Sequence, residues 1–179
     1  MLAKLAVRKM KQRGFTLVEV LVATIVLLTG VVAVAQLVPI AVTANNVSRR
    51  DSTALVIAQR ELAQMLEQPL AGPISFTDAL GNNCNLGDPT TPSITQGSPV
   101  VVIANRPTIN FSVTAQAGWS FTTPVDVEDP YGARYDVRWA AIMDGNGTTA
   151  SSRRIILSAR LLGGNRYYLP LTLDAMVQQ

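Results

Sequence analysis

The sequence predicts an α+β fold in which one long N-terminal helix packs on an antiparallel β-sheet of about four strands. Three observations predict it. An apolar run near the N-terminus passes into an amphipathic stretch of helical period that ends at Pro69. Four segments in the C-terminal half alternate apolar and polar residues. A proline-rich stretch without a clear period separates the two. One helix stripe facing four apolar strand faces makes a two-layer domain.

The 179 residues suit a single domain, with 48% hydrophobic and only 15% charged residues. That balance points to a membrane contribution. The formal charge of +3 is unevenly placed. Residues 1–14 hold Lys4, Arg8, Lys9, Lys11 and Arg13 and no acid. The rest of the chain carries ten basic residues against all twelve acids, a formal −2. There is no histidine and one cysteine, Cys84, which excludes histidine-based triads, histidine-containing metal sites, multi-cysteine zinc sites and an intrachain disulfide.

From Val20 to Ser48 no residue is charged. As a helix this run would reach about 44 Å, more than the roughly 30 Å of a bilayer's hydrocarbon. The five preceding cations place residues 1–14 in the cytoplasm and the rest outside. Glu19, at the head of the run, costs about 2.5–3.5 kcal/mol at mid-bilayer and less near an interface. A cut just before Phe15 would supply it with a partner, the new α-amino group, in the same chain or in a neighbour.

A short basic leader, Gly14, then Phe15-Thr16-Leu17-Val18-Glu19-Val20 at the head of an apolar helix resembles the class III signal of type IV pilins and type II secretion pseudopilins. The resemblance implies cleavage between Gly14 and Phe15 by a prepilin peptidase and N-methylation of Phe15. It also implies pairing of Glu19 with the terminal amine of an adjacent subunit. The fold it implies is the type IV pilin fold. Two other readings of the segment are a secretory signal, for which Ala33-Val34-Ala35 offers a cleavage pattern, and a plain signal anchor. The mature N-terminus separates them: methylated Phe15, Gln36 or Met1.

Pro39 interrupts the apolar run, and a kink is expected there. Beyond it Ala54, Leu55, Ala58, Leu62, Met65 and Leu66 recur at helical spacing, with Arg49, Arg50, Asp51, Arg60 and Glu67 mainly off the stripe. The expected organisation is a cleaved leader over 1–14, a membrane or filament-core helix over 15–42 and its amphipathic half over 43–68. An irregular region resembling the αβ-loop of pilins follows over 69–107, then a sheet over 108–179. Gly81-Asn82-Asn83-Cys84-Asn85 reads as loop, which makes Cys84 an incidental loop thiol.

The four expected strands carry Ile109, Phe111, Val113 and Ala115; Tyr135, Val137, Trp139 and Ala141; Ile155, Leu157, Ala159 and Leu161; and Tyr167, Leu169, Leu171 and Leu173. Each should have one buried and one mostly wet face. Pro170 marks the last as an edge or a bulged strand. Asp144-Gly145-Asn146-Gly147 and Gly163-Gly164-Asn165 read as hairpin connections. The Trp139 strand, a turn and an arginine-flanked apolar strand resemble the C-terminal region of PilV-type minor pilins.

No nucleotide, hydrolase or zinc-protease motif occurs, so no catalytic residue and no cofactor is expected. Asp126, Glu128 and Asp129 read as an acidic surface loop. Asp144-Gly145-Asn146 begins like a calcium loop, but Thr149 and Ile155 stand where its glycine and glutamate would be, so it reads as a turn and no metal is expected. Arg134, Arg138, Arg154, Arg160 and Arg166 fall on one nominal strand face. With Asp136 among them they read as a solvated or salt-bridged face, and nucleic acid is not an expected partner.

The function expected is that of a minor pilin of a type IV pilus. The alternatives are a type II secretion pseudopilin and a filament-displayed adhesive or DNA-binding module. The expected partners are prepilin peptidase, other pilin subunits through the N-terminal helix, the assembly machinery and the inner membrane. The chain would sit in the bacterial inner membrane with its C-terminal domain in the periplasm, then in the filament.

Overall fold

The computed structural model describes residues 14–71, 74–124, 132–163 and 169–178. Residues 1–13 of the leader and the acidic residues 126–129 lie outside them, as do Gly164 and Asn165 of the expected hairpin connection, Arg166 and Tyr167. One helix, α1 (Leu17–Glu67), is followed by nine strands. These are β1 (Ser75–Thr77), β2 (Asn83–Asn85), β3 (Thr95–Gly97), β4 (Val100–Ile103), β5 (Arg106–Ile109), β6 (Ser120–Thr122), β7 (Tyr135–Gly145), β8 (Ala150–Leu161) and β9 (Leu171–Gln178). The arrangement is α+β, with an apolar N-terminal helix and antiparallel sheets. The chain divides into two units between Asn45 and Asn46.

In the first unit every described residue from Gly14 to Asn45 is exposed. The helix runs through Pro39 without interruption. Its hydroxyls are satisfied within the helix: Thr24 Oγ1 donates to Val20 O (2.7 Å), Thr29 Oγ1 to Val26 O (2.9 Å) and Thr43 Oγ1 to Pro39 O (2.8 Å). These three hydroxyls therefore need no water, which suits an apolar surrounding.

In the second unit the sheet order is β3-β7-β8-β9, and β6 pairs with β7 beside β3. The long strands β7 and β8 form its centre. Ala54, Ala58, Leu62 and Met65 of α1 meet Tyr135, Val137 and Trp139 of β7 and Ile155, Leu157 and Ala159 of β8. These are the helix and strand stripes expected from the sequence. Trp139 is fully buried and its Nε1 donates to Asn85 O (2.8 Å). Trp119 and Phe121 tilt against it at centroid distances of 6.4 and 6.1 Å, and such pairs add about 0.5–1.5 kcal/mol each beyond burial.

The wet face expected on the central strands is covered. The β4–β5 hairpin lies over it, and Ile109, Ala140 and Ile156 form a second core with Val100, Phe111 and Ile142 beside them. The strand expected over 108–116 is accordingly different. It begins at Arg106 and stops at Ile109, and Val113 and Ala115 are exposed. Residues 69–107 are also more ordered than expected, since β1 to β4 fall there and β3 joins the main sheet. The strand expected through Leu169 starts at Leu171, and Leu169 is 85% exposed. Pro170 stands just before β9, which is an edge strand, so its missing N–H costs no ladder bond.

Arg153 joins the helix to the sheet. It is 1% exposed, on the helix-facing side of β8, and its Nη2 donates to Met65 O (2.9 Å) and Gln68 O (2.5 Å). The last turn of α1 contains no basic residue of its own, so Arg153 supplies both the missing donors and the cation that a helix C-terminus favours. Arg153→Ala should lower stability by about 2–4 kcal/mol, because it deletes charge-assisted bonds and leaves buried carbonyls unpaired. Urea unfolding of the full chain in detergent, followed by tryptophan fluorescence, would show a lower midpoint at an unchanged slope.

Candidate functional site

The candidate site is the head of α1. Gly14, Phe15 and Thr16 precede the first helical residue, Leu17, and all are exposed. Thr16 takes the N-cap position. Its Oγ1 accepts the N–H of Glu19 (3.2 Å) and its carbonyl accepts that of Val20 (3.2 Å). Thr16-Leu17-Val18-Glu19 is thus a capping-box sequence in which the threonine half of the box is made. This role of Thr16 was legible in the spacing and was missed. The carboxylate of Glu19 has no partner among the described residues. It lies in the first turn, where a negative charge complements the helix macrodipole.

Behind this head, α1 is long and apolar enough to cross a membrane, with a peak mean hydropathy of 2.6 and none of that window buried. Phe15 is 81% exposed, and the large apolar side chains from Leu17 to Val42 lie open in the same way. A continuous apolar surface of this size needs a lipid or protein partner.

The arginine face resolves into pairs. Asp136 holds Arg138 through Nε and Nη2 (3.0 and 2.8 Å), with Arg160 at 3.5 Å. Both guanidinium groups lie over the ring of Phe111, at 5.0 and 4.5 Å. Arg154 is paired with Asp174 on β9 (2.5 Å). Arg134 donates to the carbonyl of Thr123 (3.4 Å). Arg138 is buried, so it fastens loop 111–113 rather than facing solvent, and its Nη1 also donates to Val113 O (2.6 Å). The segment after Asp144 is a turn, in which Asn146 Oδ1 accepts the N–H groups of Thr148 and Thr149 (3.0 and 2.8 Å).

Cys84 is not a loop thiol. It is the central residue of β2, fully buried against α1. Burial, then the nearby Asp78 and Glu61, push its thiol up to about 12. Glu61, also buried, was missed because it stands next to Arg60 in what reads as a charged face.

Residues 9–35 match the family model described as the prokaryotic N-terminal methylation motif. No curated protein and no solved structure matches the chain. The motif covers the head of α1 and most of its apolar run, and with the α+β arrangement it indicates a protein of the type IV pilin or pseudopilin kind. A signal of this kind on such a helix points to processing by prepilin peptidase, assembly with other pilins and anchoring in the inner membrane.

Cys84 provides a check on the packing of this domain. Alkylation at pH 7 should be at least about 100-fold slower in the folded chain than after denaturation, since both access and thiolate are suppressed. Mass spectrometry of iodoacetamide-treated protein measures it.

Proposed function

We propose that the chain is a minor pilin of a type IV pilus, cleaved between Gly14 and Phe15, methylated on Phe15 and assembled into or priming the filament through α1. The observation that carries this reading is the coincidence of the methylation motif with a capped helix start and an exposed, uncharged run. Lys4, Arg8, Lys9, Lys11 and Arg13 hold the leader at the cytoplasmic face, which leaves the domain from Asn46 onward in the periplasm and later on the filament. Leader removal takes all five cations with it, and the mature chain carries a formal −2 and no lysine.

Cleavage creates a cation at the positive end of the helix dipole, an unfavourable position that calls for an acid. Glu19 supplies it to a neighbouring subunit, which fixes the axial register of one helix on the next. A local loss of helicity at Pro39 would let packed helices adjust, since Pro39 cannot bond the carbonyl of Ala35. The minor role rests on the resemblance of the Trp139 strand and the arginine-flanked strand after it to PilV-type proteins. A type II secretion pseudopilin would share every feature of the head of α1. An adhesive or DNA-binding display module would need a ligand contact on segment 69–107 or on the arginine face, whose charges are largely paired.

The mature protein should begin at N-methyl-Phe15 by intact mass and N-terminal sequencing; a start at Met1 or Gln36 overturns the reading. Its presence in sheared pili, rather than a secretion defect on deletion, separates pilus from secretion system. Glu19→Ala should be cleaved normally but enter filaments at least about tenfold less. An amine left unpaired in apolar surroundings costs about 3–5 kcal/mol, more than the roughly 1.4 kcal/mol of a tenfold change. Quantitative immunoblotting of sheared filaments measures it, and normal incorporation rules out the pairing.

A further inference from the structure

Glu61 is fully buried on α1, and only one of its oxygens is satisfied. Oε1 accepts from Arg60 Nε (2.9 Å) and is ion-paired with Nη2 at 2.8 Å, while Oε2 has no hydrogen-bond partner. The same helix face touches the segment between β1 and β2, because Gln64 Oε1 accepts the N–H of Ala79 (3.0 Å). Asp78, 5% exposed, organises that segment. Its Oδ1 accepts the N–H groups of Leu80 (2.9 Å) and Asn82 (2.7 Å), and its Oδ2 accepts Asn82 Nδ2 (2.8 Å).

Glu61 stands one turn before Gln64 on α1 and Asp78 immediately precedes Ala79, so the Gln64–Ala79 bond sets the unpaired Oε2 of Glu61 beside the segment that Asp78 organises. Two ionised carboxylates are acceptors only and cannot bond, whereas a carboxylic acid and a carboxylate can. The charged and titratable groups facing Glu61, among the described residues, are Arg60 on its own helix, Asp78 from the β1–β2 segment and Cys84 on β2. The thiol stays protonated and adds no charge. Arg60 is held at one oxygen only and is itself 46% exposed, so it cannot neutralise both acids.

We propose that Glu61 keeps its proton in the fold and donates Oε2–H to the Asp78 carboxylate, and that this bond latches the β1–β2 hairpin onto α1 and loosens as pH rises. Loosening releases that proton to solvent and leaves two repelling carboxylates in a buried site. The latch is independent of any role in a filament.

The sign follows from burial. Desolvation raises Glu61 above the ordinary carboxylate range, Arg60 opposes the shift and Asp78 adds to it. The folded chain therefore binds this proton more tightly than the unfolded one. The contribution is complete below the ordinary carboxylate range and is lost as pH rises from there through the raised value.

Hydrogen exchange of the full chain in detergent micelles, corrected for intrinsic rates and followed between about pH 4 and 8, tests the latch. Protection of Asn82–Leu86 should fall with pH by up to about tenfold per unit, the limit for one proton. Glu61→Gln donates to Asp78 at every pH and should flatten this profile. In the unsubstituted chain the Glu61 carboxyl carbon should titrate above the ordinary carboxylate range by NMR. An ordinary titration midpoint, or an equally steep profile in Glu61→Gln, overturns the proposal. If Glu61→Gln does not fold, the carboxyl titration decides alone.

Discussion

Arg153 determines how the rest of the C-terminal unit can be assembled. Its guanidinium bonds carbonyls at the end of α1, and its backbone sits in register opposite Met143 of β7 and Val177 of β9. One side chain thus fixes the end of the helix against the centre of the sheet. With that point set, the helical period brings Leu62, Ala58 and Ala54 in turn onto β7 and β8. The small residues Ala58 and Ala54 let the backbone approach the sheet, and the larger Leu62 and Met65 fill the core at the end nearer Arg153. The buried cation is costly to desolvate, and its Nε has no partner. The interaction is tolerable because it satisfies carbonyls that a helix end would otherwise leave bare.

The opposite face of the sheet solves a different problem. β7 presents Asp136 and Arg138 there, and β8 presents Arg160. On an open sheet these would be ordinary solvated residues. Phe111 and the loop after it cover this part of the face, so Asp136 and Arg138 are buried and must find partners inside, while Arg160 stays half-buried at its rim. One carboxylate shared by two guanidiniums, both stacked on the same ring, achieves that within three strand positions. The second core of Ile109, Ala140 and Ile156 then buries what would have been a wet face. This closes both faces around β7 and β8 and leaves β9 as the edge.

The parts of this architecture that periodicity encodes were legible. The helix stripe, the helix-facing sides of β7 and β8, the turn after Asp144 and the edge character of the strand after Pro170 follow from local patterns. What periodicity cannot encode is a cover. Nothing in the alternation of Asp136, Arg138 and Ala140 reports that distant segments will sit on them. For the same reason Thr108 to Gln116 alternates like a strand yet departs from the sheet after Ile109, where Asn110 N bonds to Pro99 O (2.7 Å) and Asn110 Oδ1 caps Ser112. Glu61 and Arg153 were hidden by a related limit. A charged residue reads as solvent-facing unless what packs over it is known: Glu61 is buried beneath strand residues distant in sequence, and the partner of Arg153 is a helix end 85 residues away.

At the head of α1 the relation between sequence and structure runs the other way. Sequence alone carries most of the information, because the relevant solvent is not water. The run after Val20 has no internal partner, and its threonines turn their hydroxyls back onto the helix. Thr16 caps the start, so the helix can begin two residues after a cut at Phe15 without any help from the leader. Glu19 is the charged side chain in this stretch that the helix itself does not satisfy, and its position in the first turn already suits the dipole. A carboxylate so placed would be stable alone at an interface, but it gains far more from a cation at the same depth. The capped start and the unpartnered acid are therefore complementary. Under the proposed cleavage, the first would make the helix independent of its leader, and the second would offer the new amine an anion.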